Sequence, residues 1–288
     1  MDFELTDAQK TIRDTVRRFA EAKIKPLAHE LDEKEEFSVE LTKQMGALGV
    51  FGLIVPEEYG GSGLDYTSYC IAVEELARVD GSHAATVAAG VSLGVAPMLY
   101  FGTDEQKKKY LPSLAAGESL FAFGLTEPDA GSDSRGSRTK AAQNADGTWT
   151  IDGSKIFITN GSNALTGGAI VQAVSGRSEK GDPEFTCFIV PKGTPGFTAR
   201  TMHKKLMWRA SDTAELYFAG VKVPDSAILG KRGAGSQQML KTLDSGRLSI
   251  AAMGLGCAQG AYEAALSYAQ KRVQFGKPLA RFQAIAFK

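Results

Sequence analysis

Residues 121–133 read FAFGLTEPDAGSD, and the pattern of the whole chain turns on them. Upstream the apolar residues recur at helical spacing, whereas downstream they alternate as in strands. The stretch itself starts as a short apolar run, Phe121 to Leu125. It then breaks into a Glu127-Pro128 turn followed by Gly131, Ser132 and Asp133. A strand end opening into a polar loop is a common place for a binding site.

Upstream, Thr6-Asp7-Ala8-Gln9 has the form of a capping box, with a hydroxyl for the orphan amides and a Gln three residues on. Ile12, Val16, Phe19 and Ile24 then give one buried face, with Pro26 near the end of the helix. A second helix is expected from about Ser38 to Gly49. The segment VPEEYGGSGLD reads as a loop. Tyr66 to Val79 is helical in pattern, with Ala72, Leu76 and Val79 on one face. Ala84 to Leu99 is almost wholly apolar and small, which predicts a helix buried on most sides. Thr103-Asp104-Glu105-Gln106 is a second capping box, opening a helix that stops at Gly117.

Downstream, Thr148 to Ile158 alternates, with Trp149, Ile151, Ile156 and Ile158 as its apolar members. Asp146-Gly147 and Asp152-Gly153 are pairs of the hairpin-turn kind. Ala169–Val174, Phe185–Val190 and Ala214–Val223 read as further strands. From Ser236 the helical pattern returns and includes Gly254, Gly256 and Gly260. Glycine costs roughly 1 kcal/mol in a helix interior, so three of them predict a close approach by another helix. A further helix begins near Leu279. The apolar pattern FQAIAFK ends at Lys288 with no cap, so the last domain reads as interrupted. The expectation is an α+β multidomain protein. Residues 1–120 form an all-helical domain, 121–232 an antiparallel β-barrel or sandwich, and 233–288 the first part of a C-terminal helical bundle.

Composition narrows the classes. The chain has 288 residues, 43% hydrophobic and 23% charged, with formal net charge zero. No basic field points to nucleic acid. Cys70, Cys187 and Cys257 lie far apart, and the three histidines are scattered, so neither a disulfide framework nor a metal site is expected. The N-terminal MDFELTDAQK is acidic and amphipathic rather than a targeting peptide, which predicts a cytoplasmic protein, or a matrix protein if this is a processed form. No apolar run is expected to be long enough to span a membrane.

Helices, then strands, then helices, together with GLTEPDAGSDSRGS, KIFITNG, RASDT, VKVP, LDSGR, RVQFGKPL and FQAIAFK in that order, resemble the flavin-dependent acyl-CoA dehydrogenases along the whole chain. The last two motifs look most like the short-chain, butyryl-CoA branch. The resemblance implies FAD as cofactor, an acyl-CoA thioester as substrate, and an electron-transfer flavoprotein as electron acceptor. It also implies a homo-oligomer, dimer or tetramer, in the full-length protein. By the same resemblance Phe123 flanks the flavin ring, and Leu125 and Thr126 donate to its pyrimidine edge. Phe157, Ile158 and Thr159 form a second wall. Ser132 reaches the CoA part of the ligand, and Asp244 and Arg247 contact substrate. Arg272, Phe275 and Gln283 reach across a subunit interface to the neighbour's FAD. Read without the resemblance, Phe157 and Ile158 are core strand residues, Ser132 caps a turn, Asp244 and Arg247 are an exposed helix ion pair, and Arg272 is a surface residue. Asp133 is read as a turn cap and Trp208 as core packing.

The implied reaction takes a proton from the carbon beside the thioester and a hydride from the next, so it needs a carboxylate base. Family members carry it either just before the arginine matching Arg247, where this chain has Gly246, or in a C-terminal segment. The base is therefore expected beyond Lys288, since neither Asp244 nor Glu263 matches a family base. The chain alone is expected to be inactive. Two further readings stay open: an acyl-CoA oxidase or flavin monooxygenase on the same scaffold, and a non-catalytic flavin-binding or interaction chain.

Overall fold

The computed structural model describes residues 4–288, so part of the N-terminal stretch read above lies outside the described residues. Helix α1 (Asp7–Phe19) opens on the Thr6–Gln9 capping box, with both reciprocal bonds made. It does not stop near Pro26. A π-helical turn, Ala20–Ile24, carries it into α2 (Lys25–Lys34), which holds Pro26 in its first turn. Helix α3 (Val39–Ala47) is capped by Ser38 and α4 (Tyr66–Ala77) by Asp65. Next, α5 (Gly81–Ala89) runs through a second π segment, Gly90–Val95, into α6 (Ala96–Phe101), whose first turn holds Pro97. Both π segments precede a proline. Proline lacks an amide and its ring crowds the carbonyl four residues back, and widening the turn relieves both problems. Helix α7 (Asp104–Ala115) closes the run, capped by Thr103 with Gln106.

One sequence expectation is corrected here. The continuous helix Gly81–Phe101, 21 residues long, is long and apolar enough by length and composition to cross a membrane. In this fold 72% of its most apolar window is buried inside the molecule, so its apolar surface is spent on the core.

The strands are β1 (Leu120–Gly124), β2 (Lys140–Gln143), β3 (Trp149–Thr159), β4 (Thr166–Arg177), β5 (Pro183–Pro191), β6 (Phe197–Thr201), β7 (Thr213–Val223) and β8 (Ile228–Leu229). They form one eight-stranded sheet in the order β6-β7-β3-β2-β4-β5-β8, with β1 added beside β4. Most pairs are antiparallel, but β1 runs parallel to β4 and is itself buried along its whole length. Asp152-Gly153 is not a hairpin turn. Gly153 lies within β3 at a register shift, and a Cβ there would sit 2.7 Å from the Thr139 Cα.

A second register shift in β3 matters more. Between Lys155 and Ile158 that strand advances three residues while β7 advances two. The extra residue lies in Ile156–Phe157, and Phe157 takes φ +60°. Lys155 and Ile158 therefore both point inward, with Phe157 turned out to 63% exposure.

Helix α8 (Gly235–Lys271) returns to the N-terminal helices. The predicted close approach exists at two of the three glycines. A Cβ on Gly256 or Gly260 would strike the backbone of Glu74 or Arg78 at the end of α4, whereas Gly254 faces open space. A short hairpin, β9 (Val273–Gln274) with β10 (Lys277–Pro278), and a one-turn α9 (Gln283–Ala286) follow. One apolar cluster lies among the N-terminal helices and another inside the sheet. A third joins α7, β1 and β5 to Met239 of α8, so helices and sheet share a core where the opening stretch lies.

Candidate functional site

The fold brings the two central motifs into contact. The end of β1 and the end of β3 meet at a corner, where the Ile156 amide donates to the Thr126 carbonyl at 2.9 Å. A buried ion pair locks this corner. Lys155 Nζ lies 2.8 Å from Glu127 Oε1, 3.1 Å from the Leu125 carbonyl and 3.1 Å from Ser137 Oγ. Glu127 in turn accepts from the Ser137 hydroxyl and from the amides of Arg138 (2.6 Å) and Thr139 (3.0 Å). Burial works to raise the Glu127 carboxyl, but the Lys155 charge and this set of donors overcome it and hold its pKa down at about 2. Burial also draws the Lys155 ammonium below the usual lysine range, against the pull of Glu127.

A second carboxylate fixes the turn after β3. Asp212, from the RASDT motif, accepts from the amides of Ser162 (2.8 Å) and Asn163 (2.9 Å) and from Asn163 Nδ2 (3.0 Å). Asn160, fully buried at φ +61°, donates to the Thr86 carbonyl of α5 at 3.1 Å and so ties the strand end to the helices. Lys155, Glu127 and Asp212 were not singled out in the sequence. For Lys155 a signal existed. It shares odd parity with the inward-facing Trp149 and Ile151, so a charge was due on the buried side and needed a partner.

The predicted ring contacts divide under this geometry. The amide of Thr126 and the hydroxyls of Thr126 and Thr159 have no hydrogen-bond partner among the described residues. They are free donors at one corner, beside the outward ring of Phe157. Leu125 differs from expectation: its amide turns back to the Phe123 carbonyl at 3.2 Å and its own carbonyl is taken by Lys155. The Ile158 side chain lies in the sheet core at 3% exposure, so only its backbone can face a ligand. Phe123, 8% exposed, packs in the shared core behind the corner. Ser132 is exposed in its loop. Asp133 precedes the short turn Ser134–Gly136, but its side chain makes no cap bond; its backbone carbonyl accepts from Gly136.

Below the corner lies a cavity of about 500 Å³. Thr159 faces it from β3; Ala85, Ala88 and Ala89 face it from α5; Leu243, Gly246, Arg247 and Ile250 face it from α8. Trp208 packs against the core of the N-terminal helices, as expected, and also lines this cavity. Arg247 pairs with Asp244 on the solvent side of α8, and the two side chains are 70% and 68% exposed. Among the described residues no carboxylate lines this cavity. Glu263 is bound to Arg78 (2.7 Å) and Gln259 (2.8 Å), and these two partners, Gln259 first, hold its carboxyl below the usual range. Arg272, Phe275 and Gln283 lie on the terminal hairpin and α9, all exposed, and none lines the cavity.

Free donors along one edge, an aromatic turned outward and an apolar cavity beside them suit a planar heterocycle stacked over an acyl chain. Family models for the acyl-CoA dehydrogenase N-terminal, middle and C-terminal domains match residues 6–118, 122–221 and 233–288. The chain belongs to the acyl-CoA dehydrogenase family. It is 48% identical over 288 residues to a probable acyl-CoA dehydrogenase of Bacillus subtilis, covering all of this chain and 75% of that one. Butyryl-CoA dehydrogenase from Megasphaera elsdenii superposes with TM-score 0.95 at 45% identity, again covering 100% of this chain and 75% of that chain. An acyl-CoA dehydrogenase from Bacillus anthracis, solved in complex with FAD, gives TM-score 0.91 at 38% identity and covers 98% of this chain and 47% of that one. Membership of the acyl-CoA dehydrogenase family makes this chain part of an oxidoreductase.

Proposed function

We propose that this acyl-CoA dehydrogenase chain holds FAD at the β1–β3 corner and a short acyl-CoA thioester in the cavity beneath it, for α,β-dehydrogenation. The observation that carries the reading is the pair of unengaged threonines, Thr126 and Thr159, on a corner that Lys155 and Glu127 lock. Preorganised donors aimed where negative charge develops are worth most when they need no rearrangement. Bound FAD supplies the acceptor for the substrate's hydride.

The chain's own residues would divide the work. Thr126 offers its amide and hydroxyl to the cofactor's polar edge, and Thr159 offers its hydroxyl between cofactor and substrate. Phe157 shields an outer edge of the ring. Alanines of α5 and Leu243 and Ile250 of α8 exclude water from the acyl chain, while Arg247 at the rim and Ser132 in its exposed loop meet the polar CoA. Arg272, Phe275 and Gln283, displayed on the terminal hairpin and α9, suit a role toward a neighbouring subunit's FAD. An electron-transfer flavoprotein is the proposed electron acceptor.

Among the described residues the cavity offers no carboxylate to take the α-proton, and Gly246 stands on the α8 face where one would reach it. Residues 1–288 are therefore proposed to bind without turning over, since loss of a general base typically costs about 10²–10⁴-fold. FAD-loaded protein mixed anaerobically with butyryl-CoA should show a binding-induced spectral shift and no bleaching. Rapid bleaching would reveal a base among these residues.

A further inference from the structure

We propose that Trp208 is the end wall of the acyl cavity and sets the longest acyl chain the protein accepts. The inference rests on the reading of that cavity as the acyl site.

Helices α5 and α8 pass each other in opposite directions. A Cβ on Gly246 would lie 3.5 Å from Leu93, and one on Gly81 would lie 3.6 Å from Cys257 Sγ. The cavity occupies the gap between these two levels. Along it α5 presents only methyl groups, from Ala85, Ala88 and Ala89. Nothing on the helices stops an extended chain from running along this row toward Gly81. What stops it is the indole of Trp208, the only aromatic ring among the described residues that line the cavity. It stands one turn beyond Ala85, so close to α5 that a Cβ on Gly81 would meet its Cδ1 and Nε1 at 2.8 Å.

The indole is also held in place. Trp208 sits at φ +52°, and the Ser211 amide donates to its carbonyl at 3.0 Å. The next residue, Arg209, is fixed to the end of α2: its Nε donates to the Asp32 carbonyl at 3.1 Å, and its Nη2 lies 2.9 Å from Glu35 Oε1. The backbone carrying the indole is therefore anchored at its own carbonyl and at the residue that follows, and the ring is a fixed stop rather than a mobile gate. Bulk supplied from a loop, facing a helix stripped to alanine, is an arrangement in which one residue controls depth.

The test is calorimetric binding of saturated acyl-CoAs of four, six, eight and ten carbons to FAD-loaded protein, for wild type, Trp208→Ala and Trp208→Leu. Each methylene newly buried should tighten binding about fourfold, equivalent to about 0.8 kcal/mol. Wild-type affinity should stop rising at four to six carbons. In the variants the rise should continue for two to four more carbons, further in Trp208→Ala than in Trp208→Leu. Trp208→Leu keeps an apolar contact with Gly81 and covers the case in which the alanine variant does not fold. An unchanged length profile in a folded variant overturns the proposal, as does an equal loss at every length. Failure of wild type to bind any acyl-CoA would instead overturn the reading of the cavity itself.

Discussion

Two ion pairs lie in the motifs of this chain, and they differ in almost every physical respect. Lys155–Glu127 joins residues 28 apart in sequence and is buried, with side chains 0% and 6% exposed. Asp244–Arg247 joins residues one helical turn apart, with both side chains about 70% exposed. A buried charge must be fully partnered, and each partner found here adds a geometric constraint on the corner. An exposed pair is screened and leaves its members free to move, which suits a residue that must meet a ligand. On the proposed function the buried pair shapes the site, and the exposed pair leaves Arg247 at the cavity rim free to meet a ligand.

The largest expected effect comes from breaking the buried pair. Glu127→Ala strands the Lys155 ammonium and two amides, and should cost about 3–5 kcal/mol in urea unfolding together with loss of bound FAD. Lys155→Met should cost less, because Glu127 keeps its amide donors. Equal and small losses in both would show that the pair is not what holds the corner. The pair should also show in pH dependence. Glu127 titrates near 4.5 when unfolded and at about 2 when folded, so its contribution is complete above 4.5 and is lost as pH falls from 4.5 toward 2. Glu127→Gln should flatten the stability–pH slope in that window, and an unaltered slope would contradict the assignment. At the exposed pair, Asp244→Asn should change stability by less than about 0.5 kcal/mol. Arg247→Ala should leave unfolding similarly unaffected while weakening acyl-CoA binding about tenfold, the size of one charge-assisted hydrogen bond. A large stability loss in either would erase the contrast between the pairs.

The same contrast marks what the sequence disclosed. Capping boxes at Thr6 and Thr103, the helical patterns and the strand alternation are local signals, and the fold follows them closely. Motif resemblance pointed to Thr126, Phe157 and Thr159, which meet at one corner. What was illegible depends on register. The bulge at Ile156–Phe157 decides that Lys155 and Ile158 face inward and Phe157 outward, and no composition rule locates a one-residue slip. The π segments that admit Pro26 and Pro97 are likewise visible only once backbone hydrogen bonds are formed. Trp208 reads as core because an isolated tryptophan carries no directional pattern; its place on the cavity is set by packing against Gly81, far away in sequence.

FAD retention tests the central claim most directly. Equilibrium dialysis of FAD against wild type, Thr126→Ala, Thr159→Ala and the double variant, each checked for unchanged unfolding, measures the two free threonines alone. The single variants should each bind FAD about five- to tenfold more weakly, matching one lost hydrogen bond of about 1 kcal/mol. The double variant should be weaker than either. Wild-type FAD affinity in all three would contradict placement of the cofactor at the β1–β3 corner.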